Sequence, residues 1–394
     1  MRLLALMAGC MCVLTLTLGT GAVSADESLA ALGKMMFFDA GLSRPAGQSC
    51  STCHDPNAGF AHPNRELPVS RGVLPDRLGS RNAQSVAYAA SSPPLHYDPT
   101  IRPGIMEPMY VGGFFWDGRA KRLEDQVKEP FLNPLEMHNP DKAAVVAAVR
   151  QAAYAAALDR ACGTGALDRV EPAYDCVARA LTAYLRSPEV SPFTSKFDYW
   201  QAGKATLTPA EARGFELFTG KAKCKNCHAT DPGPDGKPVL TNFGHQNTGV
   251  PRNPYLPYYR LPAALNPDGE QFVDRGLGDA LRKAGVADAD AAKEDGKFKI
   301  PSLRNVAITP PYMHNGVFKT LREVVVFNNT RDVATWRAPE VPQNVHRHIS
   351  ARHNVHGHQH MAVDEGTFGR LGLTDQEVDD IVAFLGTLTD GYTP

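Results

Sequence analysis

Cys50-Ser-Thr-Cys53-His54 recurs later in the chain as Cys224-Lys-Asn-Cys227-His228. Two thiols three positions apart can reach the two vinyl groups of one porphyrin, and the histidine that follows then falls beneath the iron as its proximal ligand. A zinc site or a thioredoxin-like thiol pair is the competing reading of one such run. A zinc site has no need of a histidine directly after the second cysteine, and a redox pair has no reason to occur twice. The two runs therefore predict a dihaem c-type cytochrome, with Cys50, Cys53, His54, Cys224, Cys227 and His228 holding the haems.

The remaining cysteines fit an exported chain. Residues 1–25 read as a signal peptide: Arg2 precedes an apolar run from Leu3 to Leu18, and Ala22-Val23-Ser24-Ala25 suits cleavage before Asp26. A retained anchor needs about twenty apolar residues, and a lipoprotein cysteine at Cys10 has too little apolar sequence before it. With Cys10 and Cys12 in the leader, only Cys162 and Cys176 are left beyond the two runs. In an oxidising compartment a local disulfide is their simplest fate, with a pair of buried free thiols as the alternative.

A length of 394 residues accommodates two domains. Lys and Arg total 41 against 42 Asp and Glu, and this balance argues against a nucleic-acid partner. No stretch after the leader is apolar enough for membrane insertion.

The pattern between and around the motifs is helical. Thr208-Pro-Ala-Glu211 is a capping box with proline at the first helical position, opening a helix that carries Phe215 and Phe218 and ends near Gly220. Leu32-Gly33 and Phe37-Phe38 make a looser lead-in to the first motif. Thr374-Asp-Gln-Glu377 is a second capping box, followed by Val378, Ile381, Val382 and Leu385 on one face. Alanine-rich helices are expected at 141–158 and 171–185, the second stopped by Ser187-Pro188, with a linker over 188–206. Glu323 to Phe327 is β-branched but follows a helical start at Thr320. The expected fold class is mainly α, with two cytochrome c-like domains at 26–190 and 200–394 and few or no strands.

These residues carry a family resemblance. The chain resembles the bacterial dihaem cytochrome c peroxidase and MauG family over its mature length. The matching stretches are Leu32 to Asp39, Ser49 to His54, Ser80-Arg-Asn82, Phe115-Trp-Asp-Gly-Arg119, Asn133-Pro-Leu-Glu-Met137, Lys223 to His228, Ile300 to Val306 and Thr309 to Gly316. The resemblance implies that the His54 haem meets hydrogen peroxide and that the His228 haem relays electrons. It implies that Trp116 lies between the haems and that Glu136 is the acid of the peroxide pocket, where one carboxylate can move a proton between the two oxygens. Gln126 and Pro130 match residues lining that pocket, and Gln126 can hydrogen-bond the bound oxygens. Asn82, Thr309 and Pro311 match a calcium site, a hard-cation set of an amide oxygen and backbone carbonyls completed by water. The electron source would be a small periplasmic donor, a cytochrome c or a cupredoxin. A MauG-like enzyme would instead oxidise a side chain on a partner protein. A non-catalytic dihaem electron carrier is the reading from a different class; Glu136 and Gln126 argue against it.

Two departures stand out. Peroxidases of the family place a methionine as sixth ligand of the second haem and MauG places a tyrosine; alignment on His314 and Leu321 puts Asn328 there. That haem is then five-coordinate, water-ligated or ligated from elsewhere. The loop after His54 also lacks a histidine at the spacing that blocks the peroxidase site, His62 being too near, which leans toward MauG. The second departure is a tract of His346, His348, His353, His356, His358 and His360, then Met361, in an insertion at 345–361. Three readings compete for it: a solvated loop, a transition-metal site for copper, nickel or zinc, which imidazole suits, or a source of the missing sixth ligand. Copper has added interest because some MauG relatives resemble partners of copper-linked proteins. A metal-handling protein with vestigial haems is the corresponding third function.

Overall fold

The computed structural model describes residues 25–100, 108–233, 236–337, 340, 354–355, 358–359 and 368–394. The expected signal peptide lies almost wholly outside them. Within this range the α-helices are α1 (Ala25–Phe37), α2 (Cys50–Cys53), α3 (Leu123–Gln126), α4 (Glu129–Leu132), α5 (Lys142–Gln151), α6 (Ala155–Cys162), α7 (Val170–Leu185), α8 (Lys196–Gln201), α9 (Pro209–Thr219), α10 (Leu277–Lys283), α11 (Asp288–Ala291), α12 (Leu321–Thr330) and α13 (Asp375–Gly386). Strands are few and short, in three antiparallel pairs: β1 (His96–Asp98) with β2 (Met109–Val111), β3 (His245–Gln246) with β4 (Phe298–Lys299), and β5 (Asn354–Val355) with β6 (His358–Gln359). The fold is mainly α, and no described helix is long and apolar enough to cross a membrane.

Each haem motif sits beside its own helix crossing. In the first half α1 packs on α7, and Gly33 marks the crossing, because a Cβ there would collide with the Ala180 carbonyl. In the second half α9 packs on α13, and a Cβ on Gly214 would meet the Asp380 carbonyl in the same way. Close backbone approach is the reason for glycine at both positions. One turn further on, Phe37 and Phe218 are buried, against Tyr184 and Phe384 respectively. The first core draws on residues from Leu32 to Val190 and the second on residues from Phe197 to Leu388.

Capping decides where the helices of the second half begin. Thr208, Thr320 and Thr374 each accept from the backbone three residues on, while Glu211, Glu323 and Glu377 return a carboxylate to the cap. The β-branched run at Glu323 to Phe327 is accordingly helix. On α13, Val378, Ile381 and Leu385 are buried as the periodicity predicts; Val382 is only partly buried, and Phe384, 0% exposed, fills the core instead.

Two local expectations need correction. The helix foreseen over 141–158 is broken into α5 and α6, because Ala152 turns extended at ψ 149° and ends the first. The break lets the buried Tyr154 donate its hydroxyl to Asp39 Oδ2 at 2.6 Å. The stretch 188–206 is not a bare linker. It contains α8, whose Phe197 is 0% exposed in the second core.

Cys162 and Cys176 form a disulfide that ties α6 to α7 across a sequence separation of 14. Replacing both by serine is expected to cost about 3 kcal/mol, the chain-entropy value for a loop of this size. Guanidinium denaturation of the haem-loaded protein reads this directly.

The halves are joined by backbone as well as side chains. Val111 bridges Gly244, Gly112 N donates to Phe243 O at 2.9 Å, and Lys299 N donates to Trp116 O at 2.7 Å. Near the C-terminus, Asp390 accepts from Tyr88 at 2.8 Å and from Asn305 at 2.9 Å.

Candidate functional site

The two Cys-x-x-Cys-His runs fold alike. In the first, α2 closes with His54 N donating to Cys50 O at 2.9 Å, and His54 Nδ1 lies 3.2 Å from the Phe60 carbonyl. In the second, a single 3₁₀ turn at Cys224–Asn226 closes with His228 N donating to Cys224 O at 2.9 Å, and His228 Nδ1 lies 3.0 Å from the Leu240 carbonyl. An Nδ1–H given to a carbonyl fixes the tautomer that leaves Nε2 as the free ligand atom. Burial pushes both imidazoles down to about 4, so each is neutral, as a metal ligand must be. Cys50, Cys53, Cys224 and Cys227 stand outside any disulfide. The donor sets fit covalently attached haem at both places.

Between Trp116 and α5, the elements α3 and α4 and the loop after them carry Gln126, Pro130 and Glu136. Gln126 ends α3; Pro130 occupies the first turn of α4, and its carbonyl accepts from Met137 N at 3.2 Å. The loop is pinned by the buried Asn139, which donates to Leu42 O at 2.8 Å and Phe131 O at 3.0 Å. Val73 N donates to Glu136 O at 2.9 Å. Desolvation lifts the Glu136 carboxyl to about 7, with Glu129 adding to the rise while Arg119 and Asn133 oppose it. The Glu136 backbone is hydrogen-bonded to Val73, two residues from Arg71, whose carbonyl lies 4.0 Å from Cys53 Sγ, which sets the loop near the first attachment site.

Trp116 spans the two halves. Its indole Nε1 donates to the Asn82 carbonyl at 2.8 Å, while its own carbonyl takes the Lys299 amide of β4. Asn82 also meets the second half through its backbone, donating to His314 O at 2.7 Å, and through its side-chain amide, which lies against the Pro311 carbonyl. Asn82, Trp116, Thr309 and Pro311 line one cavity. The three residues matched to the calcium site are thus in one place.

Composition and motif reading missed the charges around this tryptophan. Asp117 takes Arg81 at 2.7 Å and Arg119 at 3.2 Å, and Arg81 reaches Asp274 of the second half at 2.6 Å. Arg119 lies 3.5 Å over the Phe115 ring and pairs with Glu129 at 2.9 Å. Lys299 is buried, donates to Gly113 O at 2.7 Å, and is held down to about 8 by desolvation. Arg81, Asp117 and Arg119 lay within stretches the sequence had singled out; Glu129, Asp274 and Lys299 did not.

Other expected residues are not gathered here. His62 makes a local turn contact with Asn64 at 3.1 Å. Asn328 lies on α12, in the second half. The side chains of His346, His348, His353, His356, His358 and His360, with Met361, lie outside the described residues.

Comparison with known proteins agrees with this geometry. A family model described as di-haem cytochrome c peroxidase matches residues 27–206. The methylamine utilization protein MauG of Paracoccus denitrificans is 40% identical over 383 residues, covering 93% of this chain and 89% of that protein. The crystal structure of the diheme peroxidase BthA from Burkholderia thailandensis matches with a TM-score of 0.77 at 35% identity, covering 92% of this chain and 86% of that one. A MauG-like protein associated with microbial copper homeostasis matches with a TM-score of 0.63 at 28% identity, over 93% of this chain and 90% of that one. With both haem motifs built alike and relatives of this identity spanning nearly the whole chain, the protein is an oxidoreductase with two c-type haems and belongs to the di-haem cytochrome c peroxidase family.

Proposed function

We propose that the protein is a periplasmic enzyme that reduces hydrogen peroxide at the haem held by His54, with Trp116 linking that site to the haem held by His228. The observation that carries this reading is the Glu136 carboxyl, lifted to about 7 beside the first attachment site. The haems, when bound, supply the iron redox chemistry that side chains cannot. Glu136 would take a proton from one oxygen of peroxide and deliver it to the other, which leaves as water as the O–O bond breaks, the haems when bound supplying the two electrons. A carboxyl poised near neutrality suits both transfers. Gln126 and Pro130 shape the same pocket, and the Gln126 amide orients the peroxide oxygens.

The Trp116 indole is held by Asn82 of the first half and its carbonyl by Lys299 of the second, which supports a relay role for the indole. Calcium fits at Asn82, Thr309 and Pro311. A half-turn of the Asn82 amide, which exchanges its oxygen and nitrogen, would set two oxygen donors face to face for a hard cation. The leader and the Cys162–Cys176 disulfide support an oxidising, periplasmic location. Electrons would come from a small cytochrome c or cupredoxin.

A second reading, oxidation of a side chain on a partner protein, is favoured by the 40% identity to MauG. One equivalent of peroxide added to the fully oxidised protein, followed by optical and Mössbauer spectra, separates the two. Oxidation of both irons without prior reduction supports the protein-oxidising reading. Reaction only after the second haem is reduced supports the peroxidase, and no reaction in either state overturns both. Trp116→Phe is expected to leave the first haem reactive and to abolish the spectral response of the second. A second haem that still responds at the native rate removes Trp116 from the relay.

A further inference from the structure

His228 would supply one ligand of the second haem, and α12 packs into the core beside that attachment site. Leu321, Val325 and Asn328 fall at i, i+4 and i+7, on one side of that helix. Leu321 and Val325 enter the core that also contains Cys224 and Leu240, the residue whose carbonyl holds His228. Asn328 continues that side by one turn. Its Oδ1 is buried and has no hydrogen-bond partner among the described residues. The adjacent Asn329 is satisfied in both directions, donating to Leu373 O at 3.0 Å and accepting from Leu373 N at 2.9 Å.

A buried acceptor left unpaired is destabilising, so a protein keeps one where something else pairs with it. The side chains that hold haem iron are histidine, methionine, cysteine and tyrosine. A carboxamide is not among them, but its oxygen readily accepts an O–H or N–H.

We propose that Asn328 marks a small-ligand site on the second haem, its Oδ1 accepting a hydrogen bond from a protic ligand such as water at the sixth position. The second haem is then an exchangeable ligand site as well as a relay. This rests on haem attachment at Cys224, Cys227 and His228, and it is independent of the peroxide chemistry assigned to the first haem.

The test uses the haem-loaded protein, with attachment of both haems first verified by mass. Resonance Raman and EPR of the ferric wild type are expected to show a high-spin, six-coordinate second haem that converts to low spin with cyanide. Asn328→Leu is expected to shift it to five-coordinate, and Asn328→Gln, which keeps an amide, to retain six. Asn328→Met is expected to give a thioether-ligated, low-spin haem closed to cyanide. A resting second haem already low-spin and refractory to cyanide would overturn the proposal, since a protein side chain would then hold the sixth position. So would a coordination state that Asn328→Leu leaves unchanged. Peroxide consumption at the first haem is scored separately, so failure of one reading is distinguishable from failure of the other.

Discussion

Glu136→Gln is expected to slow peroxide consumption by about 10²- to 10⁴-fold, the usual worth of a positioned general acid–base group. The substitution is nearly isosteric and neutral, so the loop that carries residue 136 should hold its place. That loop depends on the backbone bonds from Val73 and Met137 and on the Asn139 anchor, none of which involves the carboxylate. Both haems should therefore remain attached with unchanged resting spectra. The pH dependence sharpens the test. Glu136 must be ionised to take the first proton, and its carboxyl is lifted to about 7 by desolvation. Wild-type rates should then fall as pH drops through about 7 with a one-proton slope, and Glu136→Gln should lack that limb. Asp at this position should restore part of the rate, because it returns a carboxylate at a shorter reach. Stopped-flow peroxide decay across pH 5 to 9 measures the wild type and both variants. Turnover by Glu136→Gln at the native rate would remove the residue from the chemistry.

What the sequence made legible was local. A Cys-x-x-Cys-His run closes on itself in five residues, and a Thr-x-x-Glu box closes a helix start in four, so both can be read without knowing the rest of the fold. Trp116, Glu136 and Asn82 came from the family resemblance; the structure brings the Trp116 indole onto the Asn82 carbonyl and sets Glu136 apart from them, on the loop after α4. The break at Ala152 could not be read from an alanine-rich run, because the bond it accommodates joins Tyr154 to Asp39, more than a hundred residues earlier. Phe197 looked like linker for a similar reason: its packing partners, Phe215 and Phe384, come later in the chain. Gly33 and Gly214 were visible as residues but not as crossing points, since the carbonyls that exclude a side chain belong to α7 and α13. The charges joining the halves were the least legible of all, as Arg81 and Asp274 are 193 positions apart.

That pair carries the second large effect. Arg81 grips Asp274 through both nitrogens at 2.6 and 2.7 Å and holds Asp117 at 2.7 Å with its third. Asp117 keeps Arg119 if Arg81 is lost, but among the described side chains only Arg81 forms an ion pair with Asp274. Arg81→Ala is therefore expected to destabilise the haem-loaded protein by about 3–5 kcal/mol, the cost of leaving a buried carboxylate without its partner. Removing both Arg81 and Asp274 should cost less than the sum of the single changes, because no stranded charge remains. The acid limb gives an independent check. Arg81 holds the Asp274 carboxyl down at about 2, below its unfolded value. The stability it contributes is complete above the unfolded carboxylate range near ~4 and is lost as pH falls toward about 2. Asp274→Asn should flatten the wild-type decline across that window. Function should follow stability here, because Arg81 immediately precedes Asn82, whose carbonyl holds the Trp116 indole. An Arg81→Ala protein that folds at moderate temperature should thus pass oxidising equivalents between the haems more slowly while the first haem still reacts with peroxide. Native-rate transfer in that variant would show that the indole keeps its place without the bridge.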